Sequence, residues 1–167
     1  ATGRATAITG ITEKFVDWGV RLAGRPRSEL DRAFPLAYDK TPLSEENAQK
    51  GQEFWLKQGI ARDKGEFLIC FFGTIGRLCV LEPVLEAARL LKDDPRKIRF
   101  VLCGTGDKLE KFKKQTADYG NVIFPGWIGG PEIRVMMELS QVGLVPYVDI
   151  PNVSWSITNK PIEYLAG

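Results

Sequence analysis

Three short glycine-containing stretches carry the residue types in this sequence that are best suited to binding an anion. Residues 73–77 (GTIGR) follow the apolar run FLICFF, residues 104–107 (GTGD) follow IRFVLC, and residues 126–130 (GWIGG) follow NVIFP. Glycine lets backbone N–H groups approach a phosphate closely, and the N-terminus of a following helix favours negative charge. Arg77 could add a charge-assisted hydrogen bond to the same phosphate. The alternative is that all three stretches are ordinary tight turns between a strand and a helix.

Two segments near the C-terminus add polar groups, each with two interpretations. Glu163, within NKPIEY, could accept hydrogen bonds from ribose hydroxyls, or it could be a first-turn glutamate that the helix dipole favours. Residues 147–158 (YVDIPNVSWSIT) are long for a strand-to-helix loop, and their Ser and Thr could bind phosphate or cap the helix. For Trp155 the sequence does not distinguish a core position from a role in stacking on a ligand. Trp127 adjoins a predicted strand, so we expect its side chain to be part of the core.

Several classes of chemistry are excluded by what the sequence lacks. There is no histidine, which removes a histidine general base, a Ser–His or Cys–His nucleophile and the commonest transition-metal ligand. Gly104 and Gly106 lack the third glycine of a dinucleotide fingerprint, because Leu109 stands there, and no Gly-Lys-Ser/Thr is present for a P-loop. The cysteines have no metal-binding spacing, and we expect buried free thiols in a reducing cytoplasm at Cys70, Cys79 and Cys103.

The order of apolar runs and helix-forming segments predicts which elements hold these groups. Strands are predicted at residues 67–73, 98–103, 121–124 and 142–145, and helices at residues 81–91, 108–119, 131–140 and 159–166. This alternation is typical of an α/β fold, with a Rossmann-like parallel sheet and helices on both faces. Ligands of open parallel sheets bind at the carboxyl ends of the strands, so we expect the glycine stretches to share one edge.

The first 66 residues follow a different pattern. A strand at residues 7–11 and a helix at residues 13–23 are predicted, then a connection rich in Pro, Arg and Asp, and then a helix that begins after the N-cap Ser44. We therefore divide the chain into residues 1–42 and residues 43–167. The last predicted helix begins only a few residues before the sequence stops, so we expect the second domain to be truncated.

The composition is that of a folded domain without a strong charge bias. The chain has 167 residues, 44% of them hydrophobic, and a net charge of +2. A disordered chain is excluded because there are enough apolar side chains for a core. No dense basic stripe indicates nucleic acid, and no apolar run of about 18 residues indicates a membrane span. The opening residues lack the layout of a secretion signal, so we expect a cytoplasmic protein.

Four strings, in order, resemble the C-terminal domain of family-four (group one) glycosyltransferases, which have the GT-B fold. They are FFGTIGRLCVLEPVLEAARLL, IRFVLCGTGDKLEKFKK, NVIFPGWIGGPEIRVMMELSQVGLVPY and NKPIEYLAG. The first three resemble strand, glycine loop and helix units of that domain. The fourth resembles the segment that carries the second Glu of the family's Glu, seven residues, Glu pattern. The first 40 residues resemble the end of the family's N-terminal, acceptor-binding domain and the hinge.

The resemblance implies transfer of a sugar from a nucleotide-diphosphate sugar, with retention and without a metal or another cofactor. The acceptor would be a glycan or a lipid-linked molecule held by the other domain, in bacterial-type surface-polysaccharide or glycolipid assembly. That other domain could place the parent protein on the inner face of the membrane. Because the acceptor domain is mostly absent, we expect this fragment to bind nucleotide without turnover.

The resemblance also implies roles for individual residues. Glu163 corresponds to the glutamate that holds the ribose, while Arg77, with assistance from Lys160, would stabilise the leaving diphosphate. The implied donor-binding residues are Gly73 and Gly76 near the diphosphate, Gly104, Thr105 and Gly106 along the nucleotide, Gly126, Trp127 and Ile128 beside the base, and Asp149, Ser156, Ile157 and Thr158 in the last loop.

The sequence departs from the family pattern at two places. The family's first Glu falls at Trp155, so Asp149 from the same loop is the candidate substitute. The family's Arg and Lys after the first glycine fall at Thr74 and Cys79, which leaves Arg77 as the nearby cation. Three alternatives therefore stay open: a catalytically inactive nucleotide-sugar-binding domain, a GT-B-fold sugar-nucleotide epimerase, which normally uses histidine, and a nicotinamide-binding Rossmann domain.

Overall fold

A computed structural model of the chain describes residues 4–156 and 158–166. They form two compact units: unit 1 contains the described residues up to Asp39 together with Asp149–Ala166, and unit 2 contains Lys40–Val148. The strands are β1 Thr9–Gly10, β2 Arg32–Ala33, β3 Phe67–Phe72, β4 Ile98–Cys103, β5 Val122–Ile123 and β6 Val142–Gly143. The helices are α1 Glu13–Ala23, α2 Glu45–Lys57, α3 Glu82–Leu90, α4 Leu109–Gln115, α5 Gly130–Leu139, α6 Pro151–Ser154 and α7 Asn159–Ala166.

Unit 2 is built on a four-stranded, fully parallel sheet with the order β5-β4-β3-β6. The two central strands pair along their whole length, from Phe67 opposite Ile98 to Phe72 opposite Cys103. Both strands are nearly continuous apolar runs, as expected for strands covered by helices on both faces. The Rossmann-like α/β fold predicted from the alternating elements is therefore confirmed.

The core of unit 2 lies between the central strands and helices α3 and α4. Leu85 of α3 and Phe112 of α4 are fully buried there against Phe71 and Leu102. The three cysteines are buried free thiols, as predicted. Burial raises the pKa of the Cys103 thiol, and the neighbouring Cys70 raises it further, so Cys103 stays protonated at neutral pH.

Helices α2 and α5 pack closely at a glycine. A Cβ built on Gly51 would lie 2.7 Å from both the carbonyl oxygen of Pro131 and a side-chain carbon of Val135. One turn later the indole of Trp55, 1% exposed, donates a hydrogen bond of 2.8 Å to the carbonyl of Glu132. Ser44 caps α2 as predicted, with its hydroxyl accepting from the Asn47 amide.

Unit 1 is organised around one buried carboxylate. Asp31 is 2% exposed and accepts hydrogen bonds from both terminal nitrogens of Arg25, from the Ser28 amide and hydroxyl, and from the Ile8 amide. The hydrogen bonds from Arg25 are the largest cause of an Asp31 pKa held well below its usual range. These contacts fix the loop that precedes β2, which pairs in parallel with β1.

Asp149–Ala166 belong to unit 1 because specific contacts join them to α1. The hydroxyl of Thr12, the N-cap of α1, donates 2.7 Å to the Trp155 carbonyl, and the rings of Phe15 and Trp155 meet edge to face. These compact units are defined by packing. The division at residue 42 into an acceptor tail and a donor domain stays a prediction.

Three features of the secondary structure differ from the sequence-based expectation. Strand β2 and helix α6 lie in segments that were predicted to be connections, because both are short and their pairing depends on non-local neighbours. Helix α4 is shorter than predicted: it ends at Gln115 rather than near residue 119. At this end the Thr116 hydroxyl donates a hydrogen bond to the Phe112 carbonyl. Among the helices that the structure describes, none combines the length and apolar character needed to cross a bilayer.

Candidate functional site

The first two glycine loops lie side by side at the carboxyl ends of β3 and β4. The Gly73 amide donates 3.0 Å to the Cys103 carbonyl, and the Ile75 amide donates 2.9 Å to the Thr105 carbonyl. In the opposite direction the Lys108 amide donates 3.2 Å to the Ile75 carbonyl. The prediction that these loops share one edge of the sheet is confirmed.

Gly104 and Gly106 allow the two loops to touch through their backbones. A Cβ built on Gly104 would lie 1.7 Å from the Gly73 carbonyl oxygen, and one on Gly106 would lie 2.2 Å from that of Ile75. Gly104 also has a φ of 133°, which other residues rarely adopt. Both glycines therefore have a packing role that does not require a ligand.

The third glycine loop joins the same edge. The Gly104 amide donates 2.6 Å to the Gly126 carbonyl, so the loop after β5 runs beside the loop after β4. Ile128 is 6% exposed, whereas Trp127 is 75% exposed. The expectation that Trp127 belongs to the core is wrong: β5 ends at Ile123, and Ile128 rather than Trp127 turns inward to fill the core. Trp127 thus offers an exposed aromatic face beside the loops.

Several backbone amides along this edge are unpaired within the described part of the chain. In the first two glycine loops, the amides of Gly73, Ile75 and Lys108 donate hydrogen bonds, but six other backbone amides donate none to any described residue. They are the amides of Thr74, Gly76, Arg77, Thr105, Gly106 and Asp107. Since Gly76 is itself a buried residue, its amide would gain most from an added acceptor. Rows of such amides suit the oxygens of a phosphate.

Arg77 adds a cation to the loop that follows β3. Its side chain is exposed and forms no hydrogen bond or ion pair with the residues that the structure describes. Other arginines are held in ion pairs: Arg25, Arg27, Arg89, Arg96 and Arg99. The guanidinium of Arg77 is therefore open to an anion.

The position that carries a lysine in the resembled pattern is closed to a cation. Cys79 is 1% exposed, its amide donates to the Gly76 carbonyl, and it pairs with Tyr147 in an antiparallel bridge. The adjacent amides of Val80 and Val148 bond to residues of the opposite segment. This bridge holds the β3 loop against the segment that follows β6.

Asp107 is a site candidate that the sequence analysis did not single out. It directly follows Gly106, its side chain is exposed, and its Oδ1 would lie 3.1 Å from a Cβ built on Gly76. A carboxylate there can accept hydrogen bonds from hydroxyl groups. The sequence signal that could have identified Asp107 is its position between the end of β4 and the start of α4, where parallel sheets bind ligands.

The remaining predicted site residues lie in unit 1. Lys160 and Glu163 are on α7, and both are half-buried. Glu163 is the fifth residue of this helix, so the alternative that the dipole favours it in the first turn is wrong, because that effect fades beyond the turn. The predicted catalytic roles of both residues, Glu163 on the ribose and Lys160 assisting at the diphosphate, stay predictions.

The loop that precedes α7 uses part of its polar capacity internally. The Asp149 carboxylate accepts 2.8 Å from the Ser154 hydroxyl, and the Ser156 amide donates 3.1 Å to the Val153 carbonyl. Thr158 is half-buried, and Ile157 lies outside the described residues. Phosphate binding by the Ser156 amide would therefore compete with an existing hydrogen bond, and the predicted roles of these residues stay predictions.

Comparisons with solved structures identify the fold. The chain is similar to the Anabaena protein HepE crystallised with UDP-glucose, with 18% identity, a TM-score of 0.58, and coverage of 85% of this chain and 38% of HepE. For WaaG, a glycosyltransferase involved in lipopolysaccharide biosynthesis, the identity is 16%, the TM-score 0.58 and the coverage 83% and 37%. The N-terminal domain of Candida albicans trehalose-6-phosphate phosphatase has 14% identity and a TM-score of 0.65. The match covers 97% of this chain and 41% of that domain's chain.

The chain thus spans about two fifths of the length of these proteins. Their shared architecture is the GT-B fold with Rossmann-like domains, as predicted. No curated protein shows significant sequence similarity to the chain. The sequence model of the family described as glycosyl transferases group 1 matches residues 53–148, more than half of the chain, including β3 to β6 and all three glycine loops. The chain therefore belongs to the group 1 glycosyl transferases.

Proposed function

We propose that this chain supplies the donor-binding part of an enzyme that transfers a sugar from a nucleotide-diphosphate sugar. The observation that carries the proposal is the row of amides without a described partner at the carboxyl edge of a parallel sheet, in loops that include Arg77, whose side chain is exposed and has no partner among the described residues. The complex of HepE with UDP-glucose supports the choice of donor class. The nucleotide sugar is the substrate, and no other cofactor enters the proposal.

In this proposal the edge of unit 2 stabilises the leaving nucleoside diphosphate. Breaking the bond between the sugar and the diphosphate leaves negative charge on phosphate oxygens. The amides of Thr74, Gly76 and Gly106 donate hydrogen bonds to these oxygens, and Arg77 adds a charge-assisted one. Such fixed donors need no reorganisation as the charge develops. Trp127 offers a flat apolar surface to the base, and Asp107 accepts from sugar or ribose hydroxyls.

The finer parts of the proposal concern outcome and acceptor. We propose that transfer proceeds with retention, as the resemblance to the family implies. It proceeds without a metal, because Arg77 and the amides supply the required charge stabilisation. Glu163 holds the ribose and Lys160 adds a second cation. The acceptor is a glycan or a lipid-linked molecule, held mainly by parts of the parent protein beyond the described chain.

Calorimetric titration with UDP, GDP and ADP tests the donor site. We expect one of them to bind, and Arg77→Gln to weaken binding about 10- to 100-fold, since a hydrogen bond to a charged group contributes about 1.5–3 kcal/mol. Arg62→Gln is the matched control, because Arg62 is also exposed but lies in a short helix before β3. Absence of binding at millimolar nucleotide, or equal effects of the two variants, would refute the proposal.

A second candidate, a domain that binds the donor without catalysis, is favoured by one observation. Cys79 is buried where the resembled pattern has a lysine, so one diphosphate-binding cation is lost. The full-length parent protein separates the two candidates. If it binds nucleotide sugar but transfers nothing, the binding-only candidate is correct. If it transfers sugar and neither Arg77→Ala nor Glu163→Ala lowers the rate, the site assignment is wrong.

A further inference from the structure

Unit 1 contains a hollow that the donor proposal does not use. Its volume is about 530 Å³, and its walls are Lys14, Asp17, Val20, Arg21 and Trp155. Four of these residues come from α1, and the fifth comes from the turn after α6. The Thr12–Trp155 hydrogen bond and the Phe15–Trp155 ring contact hold the two parts together. The hollow is therefore a defined feature of one compact unit.

The charge of the hollow is positive. Lys14 and Arg21 are exposed and form no hydrogen bond or ion pair through their side chains with the described residues. Asp17, an acidic residue among the described walls, already accepts 2.8 Å from Arg27, which also pairs with Glu13. Two cations therefore face the hollow without a counter-charge of their own. An anion that entered between them would gain two charge-assisted contacts.

Helix stability does not explain this arrangement. Arg21 lies in the last turn of α1, where the helix dipole favours a cation. Lys14 is the second residue of the same helix, where the dipole disfavours a positive charge. Placing Lys14 there has a small cost that a bound anion would offset.

Trp155 supplies the apolar wall. Its carbonyl is bonded to Thr12 and its ring meets Phe15 at a centroid distance of 6.4 Å, so its position is set without its indole N–H. Among the hydrogen bonds of the described residues, Trp155 takes part through its backbone, and its indole N–H has no described acceptor. A fixed indole binds a ring-shaped body by stacking and can donate one hydrogen bond to it. The residue in the resembled pattern is a glutamate, whose charge would repel an anion here.

We propose that this hollow binds a phosphate monoester carried on a ring compound, with Lys14 and Arg21 on the phosphate and Trp155 on the ring. This site stands on the geometry of unit 1 alone. Its further assignment, as the subsite for a phosphorylated part of the acceptor, rests on the proposed function.

Titration with phenyl phosphate, inorganic phosphate and phenol, followed by tryptophan fluorescence, tests the site. We expect phenyl phosphate to bind more tightly than either fragment, and the double variant Lys14→Gln/Arg21→Gln to weaken it by about tenfold or more. Trp155→Phe should remove the fluorescence change while keeping the binding seen by calorimetry. Equal affinity for phenol and phenyl phosphate, or an unchanged affinity in the double variant, overturns the proposal.

Two further arms locate the site and its natural ligand. Arg62→Gln should leave phenyl phosphate binding unchanged, because Arg62 is exposed in unit 2 and does not line the hollow; equal weakening by this variant and by the double variant would overturn the assignment to the hollow. If UDP, GDP and ADP all fail while phenyl phosphate binds, only the donor proposal and the acceptor assignment fall. A hexose phosphate and vesicles containing a phosphatidylinositol phosphate then distinguish a free sugar phosphate from a lipid headgroup that carries a phosphorylated ring; binding of neither overturns the acceptor assignment.

Discussion

At the scale of single residues, Gly104 has two independent reasons to lack a side chain. Its φ of 133° is outside the range that other residues adopt easily, and its Cα faces the Gly73 carbonyl at a distance that leaves no room for a Cβ. The same contact brings the β3 and β4 loops together and so sets the spacing of the unpaired amides. A substitution here tests the geometry of the site directly.

Gly104→Ala should lower the free energy of unfolding by about 3 kcal/mol, because strain and overpacking each cost roughly 1–3 kcal/mol. Gly120→Ala is the control, since Gly120 has a φ of 71° but nothing within 4 Å of its would-be Cβ. Gly120→Ala should lower the free energy of unfolding by only about 1–2 kcal/mol. Urea unfolding measures both values. A Gly104→Ala loss no larger than that of Gly120→Ala would contradict the close approach of the loops.

At the scale of elements, helices α2 and α5 show how a contact can override helix propensity. Glycine inside a helix is unfavourable, so the sequence around Gly51 alone would favour replacement by alanine. In the structure Gly51 lets the Pro131 carbonyl come close, and Trp55 anchors the same interface through its indole. The packing of this pair therefore depends on the missing side chain.

Gly51→Ala should destabilise unit 2 by about 1–3 kcal/mol, although alanine is the better helix former by about 1 kcal/mol. Lys50→Ala, at an exposed neighbouring position of the same helix, should stay within about 0.5 kcal/mol of the unsubstituted protein. Thermal or urea unfolding distinguishes the two. If Gly51→Ala stabilises the protein, the described α2–α5 contact is incorrect.

At the scale of the whole molecule, the two compact units respond to acid through different carboxylates. In unit 1 the buried Asp31 has a pKa held well below its usual range, chiefly by Arg25. In unit 2 the hydrogen bonds of Arg96 lower the pKa of Asp94 to about 2. A carboxyl with a lowered folded-state pKa stabilises the fold above its unfolded pKa of about 4, and this contribution disappears as the pH falls below that value.

Asp31→Asn should lower the stability of unit 1 at neutral pH and remove most of the acid dependence that begins below about pH 4. Amide hydrogen exchange, read separately for β1–α1–β2 and for β3–β4, measures this effect. The β3–β4 amides should show the same pH dependence in both proteins, since Asp94 is unchanged. A variant in which unit 1 keeps the pH dependence of the unsubstituted protein would exclude Asp31 as its cause.

Local sequence patterns were enough to predict the parallel α/β architecture, the cap at Ser44 and the common edge of the glycine loops. Apolar periodicity and turn residues act over a few neighbours, and they predict elements wherever burial follows the local pattern. The resemblance to group 1 glycosyltransferases rested on such local strings in order, and the family match over residues 53–148 confirms it.

Which side chains are exposed and which are buried became known only from the folded arrangement. Trp127 is exposed whereas Ile128 is buried, Arg77 is without a described partner, and Asp149–Ala166 belong to the same compact unit as α1. Gly104 and Gly106 are required by the approach of a loop some thirty residues earlier in the chain. Each outcome depends on segments that are distant in sequence and meet only after folding, so no local pattern could encode it.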